Sequence, residues 1–128
     1  MKSWFLILLS LLSNTALANQ EPLTQMLPVI TPELSPGKVS NRHISQQVNK
    51  PFFIVGDDPL SHQWLKLRLN HLKSIKAVGI VVNVKTDTGF YRMQSYGLPM
   101  YPVRGKDFAS AFKLTHYPVL ITQGEIKQ

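Results

Sequence analysis

The sequence predicts an α/β fold: a small, mostly parallel sheet with flanking helices and a C-terminal β-hairpin. Three observations predict it. Short apolar runs rich in branched and aromatic residues recur at 51–56 (PFFIVG), 78–84 (VGIVVNV) and 117–122 (YPVLIT), the pattern of buried strands. Between the first two, Leu60, Trp64, Leu65, Leu67, Leu69, Leu72 and Ile75 recur at helical spacing. The chain then closes on YPVLIT-QG-EIK, where Gly124 permits a tight turn into a last strand over 125–127. Strands alternating with helices imply βαβ crossovers and a sheet with helices on its faces.

Three segments follow in order. Residues 1–18 read as a signal peptide. Lys2 supplies a positive charge, WFLILLSLL over 4–12 is apolar but too short for a lasting anchor, and Ala16-Leu17-Ala18 is an A-x-A cleavage site. Cleavage after Ala18 and a periplasmic location are the expectations, and without a lipobox cysteine the chain is not a lipoprotein. Residues 19–50 read as a Pro-rich extended arm, partly ordered, because Pro22, Pro28, Pro32 and Pro36 interrupt every helix. Within it Leu27, Val29 and Ile30 could pair as an edge strand or lie in a groove. LSPGKV over 34–39 holds a Pro-Gly turn, and ISQQV over 44–48 reads as one helical turn.

Residues 51–128 form the α/β domain. In its first helix the apolar residues cover about half the circumference, with His62, Lys66 and Lys73 opposite. Asp87 to Ser95 is a second helix, capped by Thr86 or Asp87 and ended near Gly97. LPMYPV over 98–103 is an extended piece whose prolines place it near an edge, and 106–114 is a short helix. A domain this small buries only about 60% of its unfolded surface, so packing by the arm or by a partner would help it.

The chain of 128 residues carries 14 Lys and Arg against seven Asp and Glu. Without Lys2 the cations number 13, and the formal charge is +6. The surplus is scattered rather than clustered. It suits loose contact with an anionic membrane or cell-wall surface and argues against specific nucleic-acid binding, for which no motif is present. There are no cysteines, which excludes thiol nucleophiles, CxxC redox chemistry and thiolate metal sites. No G-x-S-x-G, HExxH, phosphate loop or glycine-rich dinucleotide turn occurs.

The acidic pair Asp57-Asp58, at the end of the first strand, resembles the magnesium-binding pair of bacterial receiver domains. The rest of that chemistry is missing: Asn83 ends the next strand where a carboxylate is wanted, and YPVLIT brings no lysine. Two readings stay open. Asp58 is an N-cap, with Pro59 as the first helical residue and Asp57 complementing the helix dipole. Alternatively, Asp57, Asp58, Asn83 and Arg104 converge beyond the strand ends, where open parallel sheets bind ligands. His116-Tyr117-Pro118 is the second candidate: a Tyr-Pro bond opening a strand can be cis, with His116 as a base, a ligand or a surface residue.

Several segments together carry a resemblance: TPELSPGKV (31–39), PFFIVGDDPLSHQWL (51–65), IKAVGIVVNV (75–84), GLPMYPVRGKDFASAF (97–112) and HYPVLITQGEIKQ (116–128). In these the chain resembles a family of small exported proteins encoded in integrating conjugative elements of Gram-negative bacteria. The resemblance implies an accessory role in the element's conjugative transfer apparatus, a type IV secretion system, in the periplasm, and it carries over no catalytic residues. By element order the chain also resembles cysteine-poor thioredoxin-like proteins of conjugative pilus assembly, which place a cis proline just before a β-hairpin. It departs from them in lacking CxxC and a helix after the last strand, which implies a scaffold that serves binding.

The expectation is therefore a non-enzymatic docking protein without a cofactor. Its partners would be protein components of the transfer machinery, met through the arm and through faces around Tyr117, Tyr101 and Trp64. The alternative is a small hydrolase or metal-dependent enzyme that uses the strand-end carboxylates.

Overall fold

Strand residues alternate between two faces, and here both faces are buried. The computed structural model describes residues 23–128; the expected signal peptide and the first residues of the arm lie outside them. Strands β1 (Ser35–Pro36), β2 (Arg42–His43) and β3 (Phe52–Val55) precede helix α1 (Pro59–Ser74). Then come β4 (Val78–Val81), α2 (Asp87–Gln94), β5 (Met100–Pro102) and α3 (Lys106–Phe112). The chain ends on β6 (His116–Tyr117), β7 (Val119–Thr122) and β8 (Glu125–Lys127).

The α/β class holds, but the sheet is mixed rather than mostly parallel. Its order is β2-β8-β7-β3-β4-β5, with β1 and β6 forming a separate pair. Strands β3, β4 and β5 run parallel, whereas β7 lies antiparallel to β3, β8 to β7 and β2 to β8. A strand buried on both faces has the same apolar pattern in either direction, so the pattern of YPVLIT could not orient it. The edge position expected for LPMYPV is correct, and so is the terminal hairpin.

Phe53, Val55, Val81 and Leu120 face one cluster, which α1 and α2 cover with Trp64, Leu65, Leu72, Phe90 and Met93. Ile54, Val82, Val119 and Ile121 face the other, covered by Ala109 and Phe112 of α3 and by Leu34 and Val48 of the arm. Each fully buried Leu, Ile or Phe contributes about 1.5–3 kcal/mol, so both layers are needed. Helix α1 buries a narrower stripe than expected: Leu60 and Leu67 are 38% and 75% exposed.

Apart from a 3-10 turn at Thr24–Met26, the described part of the arm is extended and tied down. Val29 and Val84 exchange backbone hydrogen bonds of 2.8 and 3.0 Å, so Val29 pairs as a strand would. β2 extends the sheet beside β8. ISQQV is not helical; Val48 N–H donates instead to Gln123 Oε1 at 2.8 Å, and Gln46 donates to the Ala111 carbonyl. The Leu27-Pro28 and Tyr117-Pro118 bonds are both cis.

Candidate functional site

At the carboxyl ends of β3 and β4 the structure holds a cleft of about 300 Å³, lined by Asp57, Asp58, Asn83, Lys85, Thr86 and Tyr117, with Val29 and Ile30 of the arm. Four of the candidate residues thus meet, but their polar atoms are engaged. Asp58 is an N-cap: its carboxylate accepts from Ser61 N–H at 2.9 Å and from Ser61 Oγ–H at 2.8 Å. Ser61, fully buried, in turn accepts from Gly56 N–H. A Cβ on Gly56 would lie 2.7 Å from the Tyr117 hydroxyl and 2.9 Å from Asp58 Oδ1, so only glycine lets these groups close around the turn.

Asp57 turns away from its neighbour. One oxygen accepts from His62 Nε2 at 2.7 Å and the other from Arg92 Nη1 at 2.8 Å. The arginine that reaches the acidic pair is therefore Arg92 of α2; Arg104 is exposed and outside the cleft. The other ring nitrogen of His62 lies 2.6 Å from the Tyr96 hydroxyl. An ionised carboxylate only accepts, so Nε2 carries a proton, and in neutral His62 the Tyr96 hydroxyl donates to Nδ1. This Asp57–His62–Tyr96 chain was invisible in the sequence, where His62 falls on the polar side of α1. Burial, and then the charge of Asp57, raises the Tyr96 hydroxyl above its ordinary 10.0. The phenol is held neutral, as a donor.

Asn83 fastens the arm. Its Oδ1 accepts from Thr31 N–H at 2.7 Å, and its Nδ2 donates to the Leu34 carbonyl at 3.2 Å and to the Tyr117 hydroxyl at 3.1 Å. Thr31, also buried, donates through Oγ1 to the Val82 carbonyl and accepts from Gly105 N–H. Burial raises the Tyr117 hydroxyl above 10.0; the Asn83 bond opposes the shift and the Asp58 charge adds to it. Tyr117 is buried and offers no contact face, whereas Tyr101 on the edge strand is 44% exposed. His116 is partly buried against the arm, with Nδ1 at 3.1 Å from Ser35 Oγ and 3.2 Å from the Ser35 carbonyl.

Pro118 lies elsewhere, on the α1–hairpin face. There two clefts of about 350 and 420 Å³ share Asn41, Trp64, Arg68 and Gln128. Pro118, Leu60 and Leu67 line the larger, His71 and Lys127 the smaller. The leucine pattern had assigned Leu60 and Leu67 to the core. The signal that could have placed them outside is the crowding of seven apolar residues on one helix, more than a single sheet face covers.

The family model described as Protein of unknown function (DUF2859) matches residues 11–126, and the chain belongs to that family. No curated protein and no solved structure matches it.

Proposed function

We propose that this member of the DUF2859 family is a non-enzymatic accessory protein that docks, in the periplasm, onto the type IV secretion apparatus of an integrating conjugative element. The reading starts from the resemblance of residues 31–39, 51–65, 75–84, 97–112 and 116–128 to exported proteins of such elements. The observation that carries its non-enzymatic part is the occupation of the strand-end carboxylates. Asp58 is spent on Ser61, and Asp57 on His62 and Arg92. A hydrolase or metal-dependent enzyme at this point needs a carboxylate free to take a proton or a cation. Asp57–His62–Tyr96 does align an acid, an imidazole and a hydroxyl, but neither His62 nor Tyr96 lines the strand-end cleft.

The thioredoxin-like reading also gains support. The strand order β4-β3-β7-β8 joins a β3–α1–β4 start to the terminal hairpin of β7 and β8. Such a scaffold without cysteines serves binding. Crosslinking in donor cells that carry the whole element, followed by mass spectrometry of the captured proteins, tests the proposal. Components of the transfer apparatus are expected among them, and recovery of none contradicts it.

A further inference from the structure

We infer that the outer side of the α1–α2 layer lies on an anionic membrane surface. This goes beyond the docking reading and does not depend on it. It starts from charge. Between Pro59 and Lys76 the chain carries Lys66, Arg68, Lys73 and Lys76 and no carboxylate. Lys66, Lys73 and Lys76 are exposed. The ion pairs among the described residues are His62–Asp57, Arg92–Asp57 and Lys127–Glu125, so these three lysines keep their charge for an outside partner.

Helix geometry sets what stands beside them. The buried side of α1, with Ser61, Trp64, Leu65 and Leu72, faces the sheet. At about 100° per residue, Gln63 and Asn70 then point outward, with Leu67 on one flank and Lys66 and Lys73 on the other. The lysine flank is the α2 side. His62, on that flank, meets the Tyr96 hydroxyl just past α2, and a Cβ on Gly97 would lie 3.5 Å from Lys73 Nζ. On α2, burial of Phe90 and Met93 turns Tyr91 outward, 57% exposed. Lys66 and Lys73 therefore stand between Leu67, 75% exposed, and Tyr91.

Cations beside exposed apolar and aromatic residues are the composition of helices that lie in a membrane interface. Lysine stems let the ammonium groups stay at the headgroup phosphates while Leu67 dips beneath them, and a tyrosine suits the boundary itself. Each lysine adds to the attraction of an anionic leaflet. No described helix is long and apolar enough to cross a membrane, so the contact is with the surface. A nucleic acid offers Leu67 no apolar medium. A lipid surface takes the cations and the leucine together and, being fluid, requires no fixed arrangement of partner charges.

The chain has no cysteine, so a single introduced one can carry a polarity-sensitive fluorophore. Asn70→Cys places it on the outer side of α1, and Ser110→Cys on α3, across the sheet; both positions are exposed. Both are made in the full chain, so that any contact through the apolar run over 4–12 is common to the two. With vesicles of equal parts phosphatidylcholine and phosphatidylglycerol, the label at position 70 should shift to the blue and saturate, and the label at 110 should not. Phosphatidylcholine alone should bind at least about tenfold more weakly, and so should the full mixture after Lys66→Glu with Lys73→Glu. Lys66→Arg with Lys73→Arg should keep the affinity, and Leu67→Gln should lower it. Raising salt from about 0.05 to 0.5 M should weaken binding further.

A silent label at position 70, an equal shift at 110, equal binding to phosphatidylcholine, or indifference to the charge reversal overturns the inference. So does an equal or larger shift with soluble polyglutamate, which would assign the face to an acidic protein. If vesicle binding fails while crosslinking still captures transfer components, the membrane contact is wrong and the docking reading stands.

Discussion

Asn83 is the residue on which the arm depends. It lies just beyond β4, where a ligand-binding site would want a carboxylate, and it uses both ends of its amide to hold Thr31, Leu34 and Tyr117. Asn83→Ala orphans the Thr31 N–H and the Leu34 carbonyl together and should cost about 2–4 kcal/mol. Urea unfolding checks this, and limited proteolysis should show cleavage within the arm before the domain. Tyr117 and Tyr96 set the alkaline limit. Both hydroxyls are raised above 10.0, chiefly by burial. Below pH 10 both states keep their phenols protonated and stability is intact. As pH rises past 10 the unfolded chain ionises first, and stability falls toward the higher pKa of the folded state. Tyr117→Phe should lower stability by roughly 1 kcal/mol at pH 8 through the lost Asn83 bond, yet flatten the decline above pH 10 in urea titrations.

At this scale the legible contacts were local. The Asp58 cap is written in Asp-Pro at a strand-to-helix junction, because its partner Ser61 is three residues away. Asp57 was not legible, since Arg92 joins it only after a complete βαβ unit has folded. Arg104 was the arginine expected there because it directly follows the extended piece LPMYPV.

Among the elements, α1 and α3 end alike, on a lysine. Lys76 and Lys113 have positive φ, 55° and 53°. Beyond Lys76, Ala77 N–H bonds to the Leu72 carbonyl, and beyond Lys113, Leu114 N–H bonds to the Ala109 carbonyl. These are Schellman ends, a place that usually takes glycine. A side chain in the left-handed region costs about 1–2 kcal/mol, partly offset by the entropy that glycine loses on folding. Lys76→Gly should therefore raise stability by roughly 0.5–1 kcal/mol, read as a higher urea midpoint at unchanged slope. Gly97, with φ of 76°, shows the usual solution beyond α2, and that stop was legible for this reason. The lysine stops were not, because nothing in their composition marks them. The strands were found because both faces of each are apolar. The directions of β7 and β8 relative to β3 depend on the path of the chain through α3, which no local pattern encodes.

For the whole molecule, the arm and the domain share their two cores, so the boundary at residue 51 marks a change of pattern rather than of packing. Val29 lies in one core, and Leu34 and Val48 lie in the other. A domain of this size gains the extra burial it needs by wrapping its own N-terminal segment. What the strand ends then offer is a finished structure, with its acids already bonded. Among the described residues, large apolar side chains remain exposed at several places, Leu67 and Tyr101 among them. On the function proposed above, the protein works through its surface and not through carboxylate chemistry.

Asparagine caps helices about as well as aspartate, so Asp58→Asn removes that carboxylate at small structural cost, whereas Asp57→Asn keeps one acceptor for His62 or Arg92 and loses the other. The pair of changes removes both carboxylates. Transfer frequency from donor cells whose element carries this pair of changes, compared with deletion of the whole chain, measures the claim most directly. Transfer close to that of the unaltered element is the predicted result. A fall to the level of the deletion, with folded protein present in normal amount, would contradict it.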